Sequence, residues 1–327
     1  MCEHGILTSQ TAIERLKESL NGIFERGDFP LEVKGLYTQQ ELKLLVLSAC
    51  RAGDFSMCEA FKEGRRIKAR WDTKALKRWI EEKLIPNTVV LTFDDEEVLK
   101  LLLFSMEFAF AMFEGKTKAT YTQKGFRERS RDIETIVINT FVGSLGEVGL
   151  KRFLEGKFNI SVKLDRSIST DIQSYRSDIV NARKLVSVKT TPNLNAVWAE
   201  CPVGYDYGVF VKAVVPSAVI LQAFAHVCGF RRLLDFSKES ITTKEEETAK
   251  IIESLENRVF AQRCGTLKVS WKTFICGFFK PEHEGVFVKE GDNLPSIGKI
   301  REARYFIPIS RLRFRKEDWE EFTKDNF

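Results

Sequence analysis

Apolar positions recur at intervals of three and four through residues 11–24, 38–50, 74–84 and 94–113, the spacing that turns one face of an α-helix toward a core. Asp94 followed three residues later by Glu97 is a capping pattern for the last of these. The first 125 residues therefore predict a helical region. Its most apolar stretch, 98–113, is sixteen residues long and carries Lys100 and Glu107. That is too short and too charged to span a bilayer, and it predicts a buried helix.

A longer stripe follows over 126–155, with Ile133, Ile136, Val137, Phe141, Leu145 and Val148 in helical register. Gly143, Gly146 and Gly149 interrupt it every third residue, although each glycine costs about 1 kcal/mol of helix propensity. Glycines here let another backbone or a ligand approach closely. Beyond Gly156 the period shortens. Residues 158–164, 176–180, 185–190 and 207–214 are rich in β-branched or aromatic residues and predict strands, with a turn at Asn181-Ala182-Arg183 between the second and third. Helical patterns return at 193–200, 216–234 and 243–262, strands at 267–279 and 304–309, and a short helix begins near Lys316. The expected fold class is α/β (α+β): a mixed central sheet flanked by helices, with an N-terminal helical region. Residues 1–125 form that region and residues 126–327 the core, and no internal repeat is visible.

Composition narrows the class. The 327 residues are 43% hydrophobic and 30% charged, which excludes a fibrous or wholly disordered chain, and 8 Pro with 20 Gly leave no low-complexity linker. A net charge of +5 permits a nucleic-acid partner, so that question turns on where the charges sit. Seven scattered cysteines and a start, MCEHGILTSQ, without a basic-then-apolar leader predict a reduced, cytoplasmic protein without a membrane anchor.

The charges cluster. From Lys62 to Arg78 eight basic residues stand against two acidic ones, interleaved with Trp71 and Trp79. Arg65, Arg66, Lys68 and Arg70 are candidate phosphate contacts with indoles available for stacking, and a solvated face with its tryptophans turned into the core explains the pattern equally well. Lys124, Arg127, Arg129 and Arg131 form a second cluster. In the third, Arg311, Arg313 and Arg315 alternate; on an extended segment they share one face that can grip phosphates or guard a strand edge.

One constellation carries chemistry. GSLGEVGL on the long helix holds Glu147, SDIV holds Asp178, and KLVSVKTT on the next strand holds Ser187 and Lys189, eleven residues beyond Asp178. A tight hairpin brings that aspartate and lysine together, with the helix glutamate behind them. Hard carboxylate oxygens suit Mg²⁺, a bound metal lowers the pKa of water, and a lysine offsets charge building on a phosphate.

In these residues the sequence resembles the PD-(D/E)XK nuclease superfamily over roughly residues 129–210. The resemblance implies a mixed sheet flanked by helices, with Asp178 matching the motif aspartate, Lys189 its lysine and Glu147 the acidic residue of the preceding helix. Ser187 stands where a second metal-binding Asp or Glu is usual. One branch of restriction endonucleases has this Ser-x-Lys form and takes its missing carboxylate from a following helix; here Glu200 is the candidate, with Glu147 the other. Asp171 is the alternative motif aspartate. The activity that the resemblance implies is that of a Mg²⁺-dependent DNA endonuclease, with Mn²⁺ able to substitute, resembling type II restriction enzymes. Double-stranded DNA is then the substrate and a homodimer or larger assembly the working form, with 243–262 a candidate interface helix. The alternatives are a structure-specific repair or recombination nuclease of the same superfamily and a non-catalytic DNA-binding protein.

Other chemistries lack support. Cys50 and Cys58 have no matching pair, His226-x-Cys228 stands alone, and three histidines are few for zinc or for His-based catalysis. No GxxxxGK[ST] or GxGxxG occurs.

Overall fold

The computed structural model describes residues 33, 35–63, 66–113, 132–167, 177–240, 250–255, 257, 270–294 and 297–327, with the backbone alone for 58–63, 66–70, 113, 240 and 270. In chain order the elements are α1 (Gln39–Arg51), the hairpin β1 (Cys58–Glu63) and β2 (Arg66–Trp71), α2 (Thr73–Trp79), β3 (Thr88–Thr92), α3 (Asp95–Phe113) and α4 (Ile133–Phe158). Next come β4 (Val186–Thr191), β5 (Trp198–Pro202), β6 (Tyr207–Val214), α5 (Val219–His226), α6 (Gly229–Ser240), β7 (Ser270–Phe279) and α7 (Pro281–Glu284). The short strands β8 (Val286–Val288), β9 (Asn293–Leu294), β10 (Gly298–Lys299) and β11 (Arg304–Pro308) precede α8 (Lys316–Asn326).

Strand β6 is buried at every one of its eight positions, which fits a strand covered on both faces. It pairs in parallel with β4 and antiparallel with β7, and β7 pairs antiparallel with β3. The central sheet is therefore mixed, in the order β3-β7-β6-β4, and helices cover it, as the α+β expectation requires. A second sheet, β5-β11-β8, is antiparallel throughout. On one face of the central sheet α4 contributes Leu150, Phe153 and Leu154 to a core with Val188, Val209 and Ile275, closed by Trp319 and Phe322 of α8. The other face packs Phe210, Phe274 and Cys276 against α1 and α2.

Helix α4 starts where Asp132 Oδ1 accepts the Thr135 amide at 2.6 Å and ends at Asn159, whose φ of 53° terminates the helix. It approaches the sheet through its glycines. A Cβ at Gly146 would lie 1.9 Å from Thr190 Oγ1, and one at Gly149 would lie 2.2 Å from Thr273 Oγ1.

Several elements differ from the sequence pattern. Residues 88–92, inside the expected helical region, form an edge strand of the central sheet, and 58–71 form a hairpin. Helix α3 has the Asp94–Glu97 capping box but is buried on one face only: Leu103, Met106 and Phe110 are exposed. The stripe at 216–234 is broken at Cys228, where φ is 54°. Residues 193–200 are not a helix. Asn193 Oδ1 accepts the Asn195 amide at 3.0 Å, forming a turn, and the alternation of half-buried Trp198 and Glu200 with buried Ala199 and Cys201 places 198–202 as a strand on β11. The expected segments 11–24 and 124–131 lie outside the described residues, as does most of 243–262.

Gly146→Ala is expected to destabilise the protein by about 1–3 kcal/mol through overpacking against Thr190. Gly143→Ala, where a Cβ meets nothing within 4 Å, is expected to be neutral or stabilising by up to about 1 kcal/mol. Urea denaturation of the two variants checks the contrast; equal effects would count against the close helix–sheet contact.

Candidate active site

The chain before β4 folds back as a short antiparallel bridge. Leu164 pairs with Ile179, the Asp165 amide donates to the Asp178 carbonyl at 3.2 Å, and Val180 donates to the Lys163 carbonyl at 2.8 Å. The expected strands at 158–164 and 176–180 thus reduce to a single bridge among the described residues. Asp165 stands directly across from Asp178, and cross-strand partners share a face. Asn181 closes the turn, its Oδ1 accepting the Lys163 amide and its Nδ2 donating to the Ser161 carbonyl, both at 2.8 Å.

Asp178 is tied to β4 by its backbone and its side chain. Its amide donates to the Val186 carbonyl at 2.9 Å, and its Oδ2 accepts the Val188 amide at 2.5 Å. The carboxylate is therefore fixed next to the strand that carries Lys189. A cleft of about 740 Å³ opens there, lined by Glu147, Asp165, Asp178, Lys189 and Glu200. Phe104 and Phe108 of α3 form part of its wall, and Arg166, Arg301 and Arg304 supply positive charge.

Two of the carboxylates are held by arginines. Arg166 Nη1 donates to Glu147 Oε2, with its guanidinium 5.3 Å from the Phe104 ring centroid, and Arg304 Nη1 donates to Glu200 Oε1 at 3.1 Å. Lys189 makes no hydrogen bond or ion pair among the described residues, so its ammonium is available to a ligand. Burial pushes the Glu147 carboxyl up to about 7; Arg166 and Lys189 oppose this rise and the Asp178 charge adds to it. Burial also raises Asp178, against the pull of Lys189 and of the Val188 amide, while Asp165 adds to the rise. The cleft is lined by Glu147, Asp165, Asp178, Glu200 and Glu302 against Arg166, Lys189, Lys299, Arg301 and Arg304, so burial rather than a shortage of cations raises Glu147 and Asp178.

Glu147, Asp178, Lys189 and Glu200, singled out in the sequence, thus line one cleft. Glu200 reaches it from β5 rather than from a helix. Ser187 does not line the cleft: it is buried, and its Oγ has no hydrogen-bond partner among the described residues. Asp165 escaped the sequence pattern because a lone aspartate in KLDRS carries no spacing signal; its proximity depends on the Leu164–Ile179 bridge. Asp171, Arg65, Arg127 and Arg129 lie outside the described residues. Arg66, Lys68 and Arg70 are alternate positions of β2, in a hairpin.

Arg311, Arg313 and Arg315 do not form one extended face. Arg311 ends a 3₁₀ turn, Arg315 precedes α8, and Arg313 is claimed by Glu284 at 2.7 Å and Glu321 at 3.2 Å. Among the described residues no three Asp, Glu, His or Cys side chains converge closely enough to cage a cation as they stand. The donors are nonetheless all hard oxygens, the set that suits Mg²⁺ or Mn²⁺.

A carboxyl whose folded pKa lies near 7 keeps its proton where the unfolded one, near 4.5, has lost it. The folded state binds more protons across that window, so stability falls as pH rises from about 4.5 to 7. Glu147→Gln removes this dependence and is expected to gain on wild type by roughly 2–3 kcal/mol between pH 5 and 8 in EDTA, beyond any constant offset from losing the Arg166 pair. Denaturant titrations of both proteins at several pH values check this, and parallel pH profiles would refute it. No family model, no curated protein and no solved structure matches this chain, so what the cleft does has to be read from its own residues.

Proposed function

We propose that the chain is a divalent-metal-dependent endodeoxyribonuclease of the PD-(D/E)XK kind, cutting double-stranded DNA as type II restriction endonucleases do. The observation that carries the reading is the anchoring of Asp178 on the Val188 amide, which places a carboxylate beside the unpaired Lys189 in a cleft shared with Glu147 and Glu200. Asp178 and Asp165, with Glu147 or Glu200, are the groups that would hold Mg²⁺. Bound there, the metal would supply a water of lowered pKa and a Lewis acid for the phosphate. Lys189 orients the attacking water and offsets charge that develops on the phosphoryl oxygens. Lys299 and Arg301, both exposed at the cleft, would meet the flanking phosphates, while Arg166 and Arg304 orient Glu147 and Glu200. Glu147 at neutral pH exchanges a proton readily, and a cation at the cleft would draw its carboxyl into the ionised form.

A specific feature favours a second reading, a structure-specific nuclease. Phe104 and Phe108, with ring centroids 6.0 Å apart, offer an aromatic wall on which an unpaired base can stack.

Purified protein incubated with plasmid and phage DNA is expected to cut in Mg²⁺ and not in EDTA. Lys189→Ala is expected to lose about 100-fold or more of the activity with fold and DNA binding retained, and Asp165→Asn to lose at least about tenfold. Sequencing the ends separates the readings: a shared end sequence marks a restriction enzyme, whereas ends at nicks, flaps or frayed termini mark a structure-specific one. Intact DNA in both Mg²⁺ and Mn²⁺, or full activity in Lys189→Ala, would sink the nuclease assignment.

A further inference from the structure

Helix α4 reaches a second cavity at its C-terminal end. It has a volume of about 730 Å³, and Phe153, Lys157 and Phe158 of α4 form one wall while Trp79 and Phe314 form another. None of its lining residues belongs to the candidate active site.

Lys83 is the unusual group in this cavity. It sits on a π-helical turn, Ile80–Leu84, that continues α2, and it is only 6% exposed. Among the described residues its ammonium makes no hydrogen bond and no ion pair. The Phe314 ring lies beneath it, with its centroid 4.1 Å from Nζ. Asp54 also lines the cavity; its Oδ1 accepts the Ser56 amide and hydroxyl, and its charge favours the Lys83 ammonium without forming an ion pair with it. Burial lowers the Lys83 pKa, as expected for an ammonium whose solvation has not been replaced. A buried ammonium without an ion-pair partner is expensive to maintain, and a cation–π contact together with a more distant carboxylate offsets only part of that penalty. The remaining cations, Arg78, Lys157, Arg315 and Lys316, surround the opening, against the exposed acids Glu82 and Glu317.

We propose that this cavity is a nucleotide-binding site, in which Lys83 takes the phosphate and the aromatic walls formed by Trp79, Phe314 and Phe158 take the base. An unpaired ammonium calls for an anion, and a cavity lined by aromatic side chains suits a flat ring; base–aromatic stacking contributes about 1–3 kcal/mol per base. A mononucleotide joins both features. The nucleotide is either free or the end of a bound strand.

Titration of the full chain in EDTA with the four deoxynucleoside 5′-monophosphates and, separately, inorganic phosphate tests the site. Calorimetry gives the affinity, and tryptophan fluorescence reports on the cavity because Trp79 and Trp319 line it. At least one mononucleotide is expected to bind with a submillimolar Kd and tighter than phosphate. Lys83→Met, which keeps the unbranched stem of the side chain, one atom shorter, and removes an unpaired charge, is expected to fold and to bind at least about tenfold more weakly. Asp178→Ala is expected to bind as wild type does, so the result stands apart from whether the cleft is a nuclease. Competition by a short single-stranded oligonucleotide assigns the site to a strand end, and its absence to a free nucleotide. No saturable binding up to about 10 mM, phosphate binding as tightly as any nucleotide, or unchanged affinity in a folded Lys83→Met would each overturn the proposal.

Discussion

Helix α4 lies so close to the central sheet that positions 146 and 149 have no room for a Cβ, and the placement of the cleft depends on that contact. The two glycines meet threonine side chains on β4 and β7, two strands that flank β6, so the helix is keyed to the sheet at two points rather than resting on a layer of large side chains. Glu147 sits between them in sequence. At this short range the residue beside Gly146 is carried to the edge of β4, where Asp178 and Lys189 already stand. Threonine at 190 completes the fit, since its hydroxyl also donates to the Gly143 carbonyl at 3.4 Å.

With the carboxylates gathered, electrostatics become the dominant constraint. Glu147, Asp165, Asp178 and Glu200 line one cleft, and Glu147 and Asp178 are half-buried in it. The fold answers with Arg166 on Glu147 and Arg304 on Glu200, and with the Val188 amide on Asp178, and burial still pushes Glu147 and Asp178 upward. Removing ionised carboxylates from water costs free energy that the cations and amides of this cleft do not fully offset. Proton uptake relieves it in one way and a bound cation in another, and the two compete for the same oxygens.

How much of the structure was legible in the sequence depends on the range over which each signal acts. Helices 39–51 and 95–113 were legible because capping and a 3.6-residue period are local, and the glycine triplet pointed to a close approach because glycine inside a helix has few other uses. Asp178 and Lys189 were legible through the short hairpin spacing between them. Asp165 was not, because it joins the cleft only through the bridge to Ile179 with a stretch of chain between. The segment 193–200 was misjudged because Pro192 opens a helix and a turn equally well, and the side chain of Asn193 decided for the turn. Lys62 to Arg78 divides between a hairpin strand and a helix, a division that charge content does not show. Ser187 shares a face of β4 with Lys189, but the strand is buried over 186–188 and half-open only from 189 onward, and the sequence does not show where that cover ends.

The two cavities share one rigid support. Glu147 and Lys157 are ten residues apart on α4, about 15 Å along the helix axis, and the helix is continuous between them. The sheet face between is filled by Leu150, Phe153 and Leu154, which pack on Val188 and Phe278, so a shift of α4 that widened one cavity would be resisted by the same core that bounds the other. Ligands at the two ends would therefore be linked through the position of one helix rather than through any direct contact. The glycine contacts leave that helix little freedom to slide, because at positions 146 and 149 its own backbone meets the threonine side chains. Such a design favours a fixed cleft geometry over a moving one, which suits chemistry that depends on holding several carboxylates and one lysine in register.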